Sequence, residues 1–125
     1  MREKNLFIVE DDPIFGSFLE YTLRKHTEYN VFRYMTGKEC IENLHRNPSA
    51  MTLDYSLPDM NGGEILRKVK EILPDIKVLM VSGNGDIATA VKLIKDGAYD
   101  YFEKNSVNDV KVKVLEALNE IKKAN

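Results

Sequence analysis

Five short apolar runs divide the chain, and helix-spaced apolar positions fill the gaps between them. Asn5-Leu6-Phe7-Ile8-Val9 suits a buried strand, and Glu10-Asp11-Asp12-Pro13 ends it. Asp12 is placed to cap the next helix, with Pro13 at its first position. Phe15, Phe18, Leu19, Thr22 and Leu23 then recur at helical spacing. A second strand runs from about Asn30 to Met35, and Thr36 caps a helix carrying Cys40, Ile41 and Leu44. The third strand holds Ala50 to Leu53 and delivers Asp54. Pro58, Asp59, Asn61 and Gly62 are turn-forming residues.

Gly63 leads into a helix with Ile65, Leu66, Val69, Ile72 and Leu73 on one face, stopped by Pro74. Ile76 to Val81 is the fourth strand, ending at Ser82-Gly83-Asn84-Gly85. Asp86 caps a helix expected to turn Ile87, Ala88, Val91 and Ile94 inward, and Gly97 fits its carboxyl cap. Ala98 to Glu103 is a weaker fifth strand that presents Lys104. The last helix runs from about Val107 to Lys123, with Val110, Val114, Leu118 and Ile121 facing in. Strands alternating with helices define an α/β fold built from parallel βαβ units, with helices on both faces of one sheet.

That arrangement collects chemistry on one edge. Open α/β sheets bind ligands at the carboxyl ends of their strands. The first strand brings Glu10 and Asp11 there, the third Asp54, the fourth Ser82 and the fifth Lys104. Three carboxylates held together at neutral pH repel one another. A hard divalent cation such as Mg²⁺ relieves that repulsion, taking oxygen ligands and keeping several waters. With a hydroxyl and a fixed ammonium beside them, these groups form a set for phosphoryl chemistry at a carboxylate.

Composition narrows the reading further. A chain of 125 residues makes one domain, 1–125, with enough length for a hydrophobic core. Charged residues make up 30% and the net charge is -2, so no basic excess points to nucleic-acid binding by these residues. The single cysteine, Cys40, excludes an internal disulfide and fits a reducing, cytoplasmic setting. No apolar run reaches membrane-spanning length.

The motifs now resemble a known family. Val9-Glu10-Asp11-Asp12-Pro13, Asp54 with Leu57-Pro58 and Met60-Asn61-Gly62, Val81-Ser82-Gly83, and Gly97-Ala98-Tyr99-Asp100-Tyr101-Phe102-Glu103-Lys104 stand in the order found in receiver domains of bacterial two-component response regulators. The stretch Gly85 to Val91 is similar to receivers that precede enhancer-binding transcriptional activators. The resemblance implies a flavodoxin-like, doubly wound five-stranded parallel sheet of order 2-1-3-4-5 with five helices. It implies that Asp54 is the phosphoacceptor and takes a phosphoryl group from a histidine kinase or phosphotransfer protein. It implies Mg²⁺ held by Asp11, by Glu10 through water, by Asp54 and by the backbone carbonyl of Ser56. Lys104 would pair with phosphoryl oxygens, and Ser82 would hydrogen-bond the phosphoryl group. Ser82 and Tyr101 would form the switch. An output domain, or a homodimer through the fourth-helix to fifth-helix face, would read the change. Such a domain is a phosphoacceptor and not an enzyme in the ordinary sense. Ser56 and Asn84 would flank the site and tune the phosphoryl lifetime.

The sequence departs from the family at Asn105, where proline after a cis bond is usual, so the Lys104–Asn105 bond is open at this stage. Competing readings fare worse. A phosphatase of the haloacid dehalogenase type needs a second acid two residues after its nucleophile, and Ser56 stands there. A nucleotide- or flavin-binding domain needs a glycine-rich first loop, but Glu10-Asp11-Asp12-Pro13 repels anions. A domain kept only for interaction does not need the full acid, serine and lysine set. Taken singly, Asp11 reads as a capping acid, Ser82 as a turn residue, Lys104 as a solvated lysine and Tyr101 as strand packing; the set gives them roles. Ile14 and Phe15 both suit the core, and one of them also suits an exposed anchor for the kinase. His26 and His45 have no ligand partners nearby in sequence, and Cys40 suits plain packing on a helix.

Overall fold

The structure is a computed structural model that describes residues 4–83 and 86–124. Five strands and five helices alternate along the chain: β1 (Asn5–Val9), α1 (Pro13–His26), β2 (Asn30–Tyr34), α2 (Gly37–Glu42), β3 (Ala50–Asp54), α3 (Gly62–Ile72), β4 (Lys77–Ser82), α4 (Ile87–Lys95), β5 (Asp100–Glu103) and α5 (Val107–Ala124). A short 3-10 turn, Leu44–Arg46, follows α2 and carries Leu44 out of the helix proper. The strands form one parallel sheet of order β2-β1-β3-β4-β5, the flavodoxin-like order.

Both faces of the sheet are covered, which is why the strands read as nearly continuous apolar runs. One face packs Leu6, Ile8, Leu79 and Val81 against Leu19 and Leu23 of α1 and Val110, Val114, Leu118 and Ile121 of α5. The other packs Phe7, Val9, Met51, Leu53, Val78 and Met80 against Cys40, Ile65, Leu66, Val69 and Leu93. The inward residues expected of the last helix are all buried.

Local signals fix the helix ends. The Asp12 carboxylate accepts the N–H groups of Ile14 and Phe15, with Pro13 beginning the helix. Thr36 Oγ1 accepts the Glu39 N–H at 3.1 Å, as the sequence suggests. Gly97 follows α4 at φ 114°, a left-handed conformation that suits glycine.

α4 turns a different face to the sheet from the Ile87, Ala88, Val91 and Ile94 face that its sequence suggests. Ile87, Val91 and Ile94 are 79%, 48% and 44% exposed, Ala88 is also exposed, and Leu93 is the one buried residue of the helix. The helix is apolar around most of its circumference, so periodicity offered two stripes. The one through Leu93, flanked by half-buried Thr89 and Ala90, meets the sheet. Ile72 and Phe18 are likewise exposed, because each lies at the margin of its helix's buried stripe. Met35 falls outside β2 and is exposed, and β5 is shorter than expected, starting at Asp100.

Candidate functional site

Register assembles the site. Val9 pairs with Leu53, so the next residues along, Glu10 and Asp54, sit side by side. Asp54 pairs with Val81, which sets Ser82 one residue further out on β4. Ser82 in turn pairs with Glu103, and the next residue is Lys104. Parallel strands in this stagger bring all four side chains to one carboxyl edge.

The groups are largely sealed from water. Glu10 is 2% exposed and Asp54 6%, while Asp11 is half-buried and gives the cluster an open side. One carboxylate oxygen each from Glu10, Asp11 and Asp54 lies within 4.8 Å of the others. Lys104 Nζ sits 2.7 Å from Glu10 Oε1 and 3.2 Å from Asp54 Oδ2. The backbone N–H of Asp12 donates to Glu10 Oε2 at 3.1 Å, and that of Ser56 to Asp54 Oδ1 at 3.3 Å. Lys104 is tied from the other side by its backbone N–H, which donates to the Ser82 carbonyl at 2.8 Å.

Three carboxylates face one ammonium, and Glu10 is the most deeply buried of the three. Burial pushes its carboxyl up to about 7; the Lys104 hydrogen bond opposes that and the Asp54 charge adds to it. Burial works to lower the Lys104 ammonium, but Glu10 and Asp54 together hold it above its ordinary value. An all-oxygen donor set with surplus negative charge and one open side suits a hard divalent cation. Glu10, Asp11 and Asp54 are the residues able to hold one.

Among the described residues, Glu10, Asp11, Asp54, Ser56, Ser82, Tyr101 and Lys104 fall at this edge or beside it. Ser82 ends β4 and is buried, and Ser56 lies in the loop after β3, where it bridges to Asn61. Tyr101 is half-buried on β5, paired with Met80 and packed toward the α3 side. Lys104 reaches both carboxylates although no described peptide bond is cis, so the Lys104–Asn105 bond is trans. Of the two candidate anchors, Phe15 is buried and Ile14 is exposed. Asn84 lies outside the described residues.

Several further residues support the site, most of them without a clear signal in the sequence. Asp59 accepts the N–H groups of Gly37 and Lys38, both at 2.9 Å, and so ties the loop after β3 to the start of α2. Those bonds hold its carboxyl below the usual range. Asn61 and Glu64 form a capping box at α3, whose N-x-x-E spacing was visible in the sequence. Gly62 is needed by close approach, since a Cβ there would lie 2.8 Å from the Asp54 carbonyl oxygen. Arg33 lies over Gly16 and donates to the Asp12 carbonyl at 3.1 Å, bracing the loop that carries Glu10 and Asp11. Phe15 places its ring under the Lys104 ammonium, 4.7 Å from ring centroid to Nζ. Nothing in the spacing of Arg33 or Phe15 announces these contacts.

This sheet order with an acid cluster, a serine and a lysine on its carboxyl edge is the arrangement of a signal-receiver fold. The response regulator receiver domain family matches residues 6–116, and the chain belongs to that family. The chemotaxis protein CheY of Thermotoga maritima is 30% identical over 122 residues, covering 96% of this chain and 98% of that one. The luminescence regulatory protein LuxO of Vibrio campbellii is 40% identical over 70 residues, 55% of this chain and 16% of LuxO. The C4-dicarboxylate transport transcriptional regulatory protein DctD of Rhizobium meliloti is 30% identical over 101 residues, 80% of this chain and 22% of DctD. The chain thus spans about a sixth to a fifth of the length of those two regulators. Among solved structures, the signal receiver domain of a LuxO repressor protein from Vibrio parahaemolyticus superposes with a TM-score of 0.84 at 27% identity, over 97% of this chain and 94% of that one. No helix among the described residues is long and apolar enough to cross a membrane.

Proposed function

We propose that residues 1–125 act as one Mg²⁺-dependent phosphoacceptor module, cytoplasmic, taking a phosphoryl group from a sensor histidine kinase or phosphotransfer protein onto Asp54. The observation that carries this reading is the Asp54 carboxylate at the end of β3, with Lys104 Nζ at 3.2 Å and the Glu10 and Asp11 carboxylates beside it.

Asp54 is the nucleophile. One of its carboxylate oxygens bonds to phosphorus as the bond from phosphorus to the donor's histidine nitrogen breaks, and that bond's electron pair leaves on the nitrogen. Lys104 stands where it can pair with the equatorial oxygens, whose charge must be balanced during transfer. Ser82, one residue beyond Val81 on β4, offers a hydroxyl to the same group. Asp11, Glu10 through water, Asp54 and the Ser56 carbonyl are the proposed ligands of Mg²⁺, which supplies Lewis-acid neutralisation of phosphoryl charge when bound. Burial keeps water from competing with these contacts.

The added phosphoryl group is a strong local charge with several acceptor oxygens. It biases the Ser82 and Tyr101 region, and an output domain or a second copy at the α4–α5 face reads the result. With a net charge of -2 the chain has no basic excess for nucleic acid, and we assign any control of transcription to the output partner. The test is intact-protein mass after incubation with acetyl phosphate and Mg²⁺, beside Asp54→Asn. One phosphoryl group that requires both Mg²⁺ and Asp54 is the expected result. Modification that persists in Asp54→Asn would name another carboxylate.

A further inference from the structure

The geometry points to Phe15 as a positioning residue for phosphoryl transfer: its ring face seats the Lys104 ammonium beside Asp54. The inference rests on the reading of Lys104 as the partner of the phosphoryl oxygens. Lys104 Nζ lies over the ring, 4.7 Å from its centroid, well within the range of a cation–π attraction. The ring is not free to drift. Phe15 is buried in the cluster that holds Leu19, Val110 and Phe102, and its backbone N–H donates to Asp12 Oδ1 at 3.1 Å. The ring therefore shares its anchorage with the loop that carries Glu10 and Asp11.

Lys104 has reason to need such a seat. It stands just past the end of β5, followed by Asn105 where a proline would have stiffened the chain. Its ionic partners are Glu10 and Asp54, two of the three carboxylates that suit a divalent cation, and Asp54 is also the group proposed to meet the incoming phosphorus. Those carboxylates cannot give their full charge to the ammonium and to a hard cation at once. An aromatic face attracts the ammonium through its quadrupole and offers no oxygen to a hard divalent ion, so its hold on Lys104 does not compete with that ion. An aliphatic side chain at position 15 fills the same core space without providing that attraction.

The decisive measurement is made by NMR on the full chain. Ring current from Phe15 shifts the Lys104 ε-methylene protons upfield in the resting protein, with and without Mg²⁺. Phe15→Leu abolishes the shift and Phe15→Tyr keeps it. At saturating Mg²⁺, phosphorylation of Asp54 by acetyl phosphate slows about three- to tenfold in Phe15→Leu and stays within about twofold in Phe15→Tyr. The Mg²⁺ dissociation constant, read by calorimetry, changes by less than about twofold in both, which separates a seat for the lysine from damage to the acid cluster. Phe15→Met carries the same arms if Phe15→Leu does not fold. Lys104 protons at the same position in wild type and Phe15→Leu would overturn the proposal, as would an equal loss of rate in Phe15→Tyr. Failure of Asp54 as acceptor shows separately, as no phosphorylation of the wild type, because the ring-current shift is read on the resting protein.

Discussion

α3 and α4 begin alike and end differently. Each follows a strand that delivers a site residue, Asp54 for one and Ser82 for the other. Each starts on an Asx cap: Asn61 accepts the Glu64 N–H, and Asp86 accepts the Ala88 N–H and the Thr89 hydroxyl. α3 then buries Ile65, Leu66 and Val69 completely, with Gly62 packed against the Asp54 carbonyl and Gly63 toward Leu93. α4 buries Leu93 and leaves its Ile87, Val91 and Ile94 stripe outside. Capping and periodicity start a helix, whereas the depth of its apolar stripe in the sheet decides how firmly it is held. The helix after the acceptor is a fixed floor, and the helix after Ser82 rests on a shallow seat. Elements that move in signalling are drawn from the less firmly held parts of a structure.

The strongest way to break this contrast is to remove one anchor from each helix. Leu66→Ala leaves a cavity in a layer closed on all sides and is expected to cost about 3–5 kcal/mol in urea denaturation. Leu93→Ala removes an equal side chain from under a helix that can settle inward, so its expected cost is about 2 kcal/mol. Equal losses from the two variants would mean that α4 is seated as rigidly as α3.

The glycines after the two strands sharpen the same point. A Cβ on Gly62 would meet the Asp54 carbonyl oxygen and the Tyr55 Cα at 2.8 Å, and neither backbone atom can yield without moving the acceptor. Gly62→Ala is expected to cost about 1–3 kcal/mol, with slower modification by acetyl phosphate. A Cβ on Gly83 meets no atom of the other described residues within 4 Å, and its φ lies outside the left-handed region. Gly83→Ala is expected to leave stability unchanged or raise it by about 0.4–1 kcal/mol, through a less flexible unfolded chain.

What could be read from the sequence follows the same division. The alternation of strands and helices and the polar groups at the strand ends were legible from spacing along the chain, whereas the order 2-1-3-4-5 came from the resemblance to receiver domains. Five apolar runs alternate with helices, and the four that end on a site residue collect Glu10, Asp11, Asp54, Ser82 and Lys104 on one edge of a parallel sheet. The inward face of α5 was legible because that helix has one apolar stripe, through Val110, Val114, Leu118 and Ile121. The inward face of α4 was not, because Ile87-Ala88-Thr89-Ala90-Val91-Lys92-Leu93-Ile94 is apolar on more than one side and the sheet makes the choice. The Phe15 ring under Lys104 and the Arg33 brace over Gly16 were hidden for another reason. Each joins residues far apart in sequence through side-chain reach, which leaves no periodic trace.

The smallest expected effect tests the face assignment directly. Periodicity alone puts Ile87 against the sheet, where Ile87→Ser would open a cavity and strand a hydroxyl at a cost above about 2 kcal/mol. In the structure Ile87 is an exposed first-turn residue next to the Asp86 cap. Ile87→Ser is therefore expected to change unfolding free energy by less than about 0.5 kcal/mol, as surface substitutions do. Paired with Leu93→Ala in one denaturation series, it ranks the two stripes by the energy each gives the fold. A reversal of that rank would turn the helix over and place Leu93 on its outer side.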